Sequence, residues 1–202
     1  MSKIKLFSGM DFSGKTTIIN GINEKIPNTF KIKKKFLTPI DLIENVRKRN
    51  TWLSPKEWKP LLQENIQRDI ENYKEDGLVL LDSLWIIKYL AGKIEKNDKE
   101  DKEEISVLKE LLKNYPEMDS FYITVSMEER IKRFHERSKS GNEVTGSDKL
   151  IMDVDKFEKR EKIYKKIVLE FFPNTEIVDT TNINQEETIE LIINDKNFIK
   201  DM

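Results

Sequence analysis

The chain has 202 residues, enough for one packed domain. Its 36 basic and 37 acidic side chains nearly cancel, so overall charge offers no case for nucleic acid or an anionic membrane as partner. With no cysteine and a single histidine, His135, a disulfide scaffold, a thiol nucleophile, a thiolate metal site and a histidine cluster are all excluded.

The amino terminus, Met1 to Leu6, leads directly into a strand pattern and lacks the apolar stretch of a secretory leader. No apolar run is long enough to cross a bilayer, and a cytoplasmic location is expected. Ile4 to Ser8 reads as a short buried parallel strand ending at Gly9. From Thr16 to about Lys25, Ile18, Ile19 and Ile22 give a helix leaning on that strand. Phe30 to Leu37 alternates apolar and lysine residues, as an edge strand does. Ser54-Pro55-Lys56-Glu57 combines a cap, a first-turn proline and a capping-box acid, and starts a helix running to about Glu75. Leu78 to Asp82 is an apolar run closed by an acid, the form of a central strand, and a helix from Leu84 to about Ile94 follows.

Lys93 to Glu104 is almost wholly charged and reads as a solvated helix end and loop. Ser120 to Val125 is a further strand, and Ser126 with Glu129 opens the next helix. Ser138 to Ser147 is rich in Gly, Ser, Asn and Thr and reads as a mobile loop. A helix over Asp155 to Phe171, a strand over Glu176 to Asp179 and a helix over Asn184 to Asp195 complete the order, the last capped by Asn184 and Glu187. Five strands separated by helices predict an α/β fold: one domain over 1–202, with a five-stranded parallel sheet covered on both faces in three layers. Ligands bind at the carboxyl ends of such strands, where Gly9, Asp82 and Ser126 all fall.

Gly9 to Thr16 matches G-x-x-x-x-G-K-[ST] between a predicted strand and a predicted helix, the context a phosphate-binding loop requires. Gly9 and Gly14 permit the backbone angles that wrap phosphate oxygens, and the loop amides and helix start present positive partial charge to the anion. Lys15 reaches the β- and γ-phosphates as a point charge, and the Thr16 hydroxyl suits Mg²⁺. ATP and Mg²⁺ are therefore the expected ligands. Asp82, ending a hydrophobic strand beside the loop, reads as a holder of Mg²⁺ or as a cap for the following helix, and the two roles are compatible.

These segments together resemble thymidylate kinase and its close P-loop kinase relatives. Gly9 to Thr17 is similar to that family's G-x-D-x-x-G-K-[ST] loop, including the internal acid at Asp11. Gly77 to Asp82 resembles its central strand. Tyr122 to Arg137 resembles its strand, capped helix and paired arginines. Phe157 to Tyr164 resembles the helix after its lid, and Ile177 to Thr181 its last strand and adenine-contacting loop. The resemblance implies a phosphotransferase acting on a nucleoside monophosphate or nucleotide-like acceptor, and a homodimer. It places ATP on Gly9, Phe12, Ser13, Gly14, Lys15, Thr16, Thr17, Arg133, Thr180 and Thr181.

Three departures bear on the acceptor. Ser83 stands where the family has Arg after the central-strand acid. Phe36-Leu37-Thr38-Pro39 keeps only the proline of an Arg-Glu-Pro segment. A helix arginine falls near Gln63, with Arg68 the closest replacement. Efficient use of ordinary dTMP is therefore not expected. Asp11, Phe36, Arg47, Arg68, Trp85 and Tyr89 are the candidate acceptor residues.

Arg130, Arg133 and Arg137 form one helical stripe, with Met127, Ile131 and Phe134 as the apolar stripe. The arginines read either as surface pairs, such as Glu129 with Arg133, or as cations serving the transferring phosphoryl group together with a lid at Ser138 to Met152. With Phe12 at a loop position where some relatives place a catalytic arginine, that role would shift to the lid, onto Arg137, Lys139 or Lys149. Lys15, Asp11, Arg133 and Arg137 are the catalytic candidates. Asp11 reads as a base for an acceptor hydroxyl or as a loop-stabilising acid. Trp85 and Tyr89 read as core or as a face for an acceptor ring, and His135 as a helix-surface residue. Kinases of a non-nucleotide alcohol or modified base, and a slowly hydrolysing nucleotide switch, are the competing functions. The absence of an N-K-x-D segment weighs against the switch.

Overall fold

In a computed structural model of the chain, residues 3–34, 77–96, 102–141 and 148–199 are described, together with helical positions 60, 64, 67, 68 and 71. Five strands, β1 (Lys3–Ser8), β2 (Lys31–Lys34), β3 (Leu78–Asp82), β4 (Met118–Thr124) and β5 (Glu176–Asp179), form one sheet. The spatial order is β2-β3-β1-β4-β5, and every pairing is parallel. The helices are α1 (Lys15–Lys25), α2 (Trp85–Lys96), α3 (Lys102–Lys113), α4 (Met127–Lys139), α5 (Val154–Phe171), α6 (Gln185–Ile193) and the short α7 (Lys196–Ile199). A 3₁₀ turn spans Asp148–Met152.

The sheet is central because its three middle strands, β3, β1 and β4, bury residues on both faces, successive residues feeding opposite sides. Ile4, Leu6, Val79, Leu81 and Tyr122 join one buried cluster with α2, α3 and α5. Phe7, Leu80, Phe121 and Ile123 join the other with α1, α6 and α7. Charge enters this interior at β1. Lys5 is fully buried in β1, reaches Asp119 at 2.7 Å, and lies over the Phe198 ring.

Helix starts follow the capping logic of the sequence. The Ser126 side chain accepts from the Glu129 N–H, and Asn184 with Glu187 forms a complete capping box. Asp153 caps α5 through the Lys156 N–H, so the helix begins one residue before the expected Asp155. The expectation for Lys93 to Glu104 needs correction. Lys93 and Glu104 pair at 2.7 Å with only about a fifth of each side chain exposed, and they join α2 to a helix that the charge run concealed. Leu108 and Leu112 of α3 are buried, with Ile105 and Leu111 against them. The helix start at Ser54 and its continuation to Glu75 lie outside the described residues apart from the five helical positions.

β1 leads out toward β2 while β4 leads out toward β5, so the carboxyl ends of the neighbouring strands β1 and β4 flank a crevice. Register places Phe7 opposite Asp82, Ser8 opposite Tyr122 and Thr124 opposite Asp179, so the loops after β1, β3, β4 and β5 share one rim.

Candidate active site

The loop from Gly9 to Gly14 connects β1 to α1 at that rim. Gly9 has φ 136°, and a Cβ there would sit 2.2 Å from the Ile123 carbonyl oxygen, so β4 closes on the loop as only glycine allows. Gly14, at φ 94°, opens α1. Lys15 folds back with Nζ donating to the Met10 carbonyl at 2.9 Å. Burial of its ammonium lowers the Lys15 pKa to about 8, with Asp11 and Asp82 opposing the shift and Lys88 adding to it.

Thr16 Oγ1 donates to Asp82 Oδ2 at 2.6 Å, bringing the last side chain of β3 to the start of α1. A hydroxyl and a carboxylate meeting at the start of α1 suit Mg²⁺, which takes few protein oxygens and fills its octahedron with water and phosphate. Among the described residues, no group of three or more acidic or histidine side chains is gathered to hold a metal.

On the α6 side of the loop, Ser13, Gly14, Thr17, Ile18, Arg133, Thr180, Ile183, Gln185 and Thr188 line an open cleft of about 220 Å³. It contains five of the expected ATP residues and adds three from α6 and the turn before it, which no sequence pattern marked. Thr181 turns elsewhere: its hydroxyl accepts from the Ser126 N–H at 2.8 Å and donates to Asp179 at 2.5 Å, tying β5 to β4.

The arginine stripe divides into three roles. Arg133 makes the expected surface pair with Glu129 at 3.1 Å, and it also donates to the Phe12 carbonyl at 3.3 Å and flanks Gly14. Arg137 is exposed, with its guanidinium 5.8 Å from the Phe12 ring. Arg130 corrects the surface reading, for it is fully buried. It ion-pairs with Glu161 of α5, donates to the Asp11 carbonyl at 2.9 Å and the Val125 carbonyl at 3.2 Å, and stacks 5.2 Å from Phe157. Its clue was Glu161, 31 residues away, which no local window pairs with it. Below the loop, burial pushes the Tyr164 phenol up to about 12, opposed by hydrogen bonds that include the Gly9 backbone and Ser83.

On the other side of the loop, the Asp11 carboxylate receives Lys88 Nζ at 2.7 and 3.0 Å. Lys88 was not singled out from the sequence. Trp85 and Tyr89 of α2 stand 5.9 Å apart and half-buried against the core, and the Tyr89 hydroxyl donates to Glu104 at 2.6 Å. Arg68 pairs with Glu64, four residues away, and both are half exposed. Phe36 and Arg47 lie outside the described residues.

No protein-family model matches the sequence, and no curated protein matches it by sequence. Solved structures do match the fold. Thymidylate kinase from Candida albicans is 20% identical with a TM-score of 0.67, over 98% of this chain and 93% of that one. Deoxyadenosine kinase from M. mycoides, bound to dATP, is 19% identical with a TM-score of 0.62, over 95% and 97%. Thymidylate kinase from Ehrlichia chaffeensis is 16% identical with a TM-score of 0.55, over 94% and 95%. The fold is thus that of the thymidylate kinase-like P-loop kinases, a five-stranded parallel sheet between helices. No helix among the described residues is long and apolar enough to cross a membrane.

Proposed function

We propose that the chain is an ATP-dependent phosphotransferase that moves the γ-phosphoryl group to a nucleoside monophosphate or nucleotide-like acceptor. The arrangement of the loop carries this reading. Lys15 lies at its centre, the cleft of Arg133, Thr180 and Gln185 opens on one side, and Asp11 with Lys88 stands on the other. A donor in the cleft and an acceptor beside Asp11 would meet over Lys15, and holding two reactants in line supplies much of the catalysis this reaction needs.

The roles follow from position. Loop amides and Lys15 hold the donor phosphates, Thr17 and Thr180 flank its nucleoside, and Arg133, Arg137 and Lys15 offset charge on the transferring group. Thr16 and Asp82 would hold Mg²⁺, which when bound neutralises phosphate charge. The Ser138 to Met152 segment would cover the donor, since Arg137 leads into it and the 3₁₀ turn at its far end packs on α4 and α5. Ser83 after Asp82, and Arg68 committed to Glu64, support an acceptor other than ordinary dTMP.

The test is multiple-turnover transfer of labelled phosphate from ATP across nucleoside monophosphates, nucleosides and hydroxylated metabolites. Transfer to a nucleotide-like acceptor is expected. Transfer only to a non-nucleotide alcohol, or hydrolysis with no acceptor, would overturn the reading. Amide exchange across 138–152 should slow with an ATP analogue and Mg²⁺, and unchanged exchange would remove the covering role.

A further inference from the structure

Asp11 and Lys88 make the most specific polar arrangement on the acceptor side of the loop. Lys88 projects from the first turn of α2 and meets both carboxylate oxygens of Asp11, at 2.7 and 3.0 Å. Neither side chain is sealed: Lys88 retains 29% exposure and Asp11 25%. The neighbouring cations belong to the donor side of the loop or to the interior. Lys15 folds onto Met10, Arg130 is buried against Glu161, and Arg133 spans Glu129 and Phe12.

An ammonium carries three donors. The two Asp11 oxygens take two, so Lys88 keeps one N–H for a ligand on its exposed side. The carboxylate is correspondingly engaged: two of its roughly four acceptor positions receive ammonium hydrogens, and taking a proton from an acceptor hydroxyl would give up its ion pair with Lys88. A hydroxyl acceptor needs such a base. A phosphate acceptor at neutral pH does not, since its attacking oxygen is already ionised. What it needs is a cation to offset its charge as it nears the donor's own phosphates.

Resting on the phosphotransferase reading above, we propose that Lys88, anchored by Asp11, is the cation that receives the anionic group of the acceptor, and that Asp11 is a positioning residue and not a base. The acceptor is then a phosphate monoester such as a nucleoside monophosphate, and not an uncharged nucleoside. In the transfer, an oxygen of the acceptor phosphate forms the new bond to Pγ. The bond from Pγ to the β,γ-bridging oxygen breaks with its electron pair passing to ADP, and no proton leaves the acceptor.

The experiment compares wild type, Lys88→Met, Lys88→Arg and Asp11→Asn on paired acceptors: deoxynucleoside monophosphates and the matching deoxynucleosides, with ATP and Mg²⁺. Thermal melting and binding of a fluorescent ATP analogue report folding and the donor site. The wild type should use monophosphates and not nucleosides. Losing a charged hydrogen bond should lower monophosphate kcat/KM in Lys88→Met by about tenfold to a hundredfold. That loss should lie mainly in KM, with Lys88→Arg restoring most of it. Asp11→Asn should show a smaller loss of the same kind, with the pH–rate profile unchanged in shape. A merely structural Lys88 would shift melting and analogue binding along with KM.

Preferential transfer to nucleosides would leave the phosphotransferase reading standing and overturn this one. So would a monophosphate KM unmoved in Lys88→Met, or loss of the basic limb of the pH profile in Asp11→Asn. Analogue binding without transfer to any acceptor would overturn both.

Discussion

Glu161→Ala isolates the contact that fastens the Gly9–Gly14 loop to α5. Arg130 is buried to 1% side-chain exposure and Glu161 is its ion-pair partner, itself about a fifth exposed. Removing one partner of a buried pair costs about 3–5 kcal/mol, because the remaining charge stays out of water. Arg130 keeps the Asp11 and Val125 carbonyls as acceptors, which places the cost at the lower end, about 3 kcal/mol. In a chain of this length each kcal/mol shifts the melting temperature by about 2–4 °C, so a fall of about 6–12 °C is expected. The Tyr122 hydroxyl also loses its Glu161 acceptor at 3.3 Å, which adds to the fall. The assay is calorimetric melting of Glu161→Ala, Arg130→Met and the double variant. Because an apolar replacement of both partners avoids the stranded charge, the double variant should be more stable than Glu161→Ala alone. It should still bind ATP more weakly, since the Asp11 carbonyl has lost its donor. A fall below about 2 °C in Glu161→Ala, or strict additivity in the double variant, would refute the reasoning.

Lys15 gives a pH prediction with a definite sign. Its pKa falls to about 8 in the folded, empty loop, so the folded state binds fewer protons than the unfolded state between about pH 8 and the ordinary lysine value. The empty protein should gain stability as pH rises through that window. Polyphosphate favours the charged lysine, so ATP affinity should weaken by about fivefold from pH 8 to pH 9, and calorimetric titration giving a flat profile would contradict this. Lys15→Ala should abolish transfer while melting stays near or above the wild type, and unchanged turnover would exclude its role. Gly9→Ala drives a methyl to within 2.2 Å of the Ile123 carbonyl at a φ that side chains avoid, so weakened ATP-analogue binding and a melting loss of several degrees are expected. Asp82→Asn should raise the Mg²⁺ concentration needed for half-maximal transfer, and superimposable Mg²⁺ titrations would refute that role.

The fold was legible wherever one short segment held its own reason. The strands over Ile4 to Ser8, Leu78 to Asp82 and Glu176 to Asp179 are continuous or alternating apolar runs, and the caps at Ser126 and Asn184 are local hydrogen bonds. Helix α3 escaped because charge dominates its face, although Ile105, Leu108 and Leu112 repeat at three and four residues within it. In the site, the glycines, Lys15, Thr16 and Asp82 follow from the motif and the strand ends. Arg130 with Glu161 and Asp11 with Lys88 did not, since 31 and 77 residues separate the partners and only the parallel sheet brings them together. Gln185 and Thr188 reach the cleft because α6 packs beside α1, a tertiary fact with no pattern of its own.

Two residues at the rim adopt backbone angles that propensity would assign to glycine: Phe12 at φ 63° and Ser83 at φ 67°. Each such position costs about 1–3 kcal/mol and survives only where neighbours fix it. The fixing contacts are visible. The Arg133 guanidinium donates to the Phe12 carbonyl, Phe134 meets the Phe12 ring edge-on at 5.5 Å, and the Ser83 N–H donates to the Phe7 carbonyl at 3.0 Å. Phe12 therefore ties the loop to α4, the helix that carries Arg133 and Arg137, while Ser83 ties the end of β3 to β1 beside Asp82. Strain at these two positions is borne by the same contacts that set the spacing of Arg133 and Asp82 about the loop. Local rules of sequence fail at the rim because its geometry is fixed by the sheet and by α4, and not by the preferences of Phe12 and Ser83.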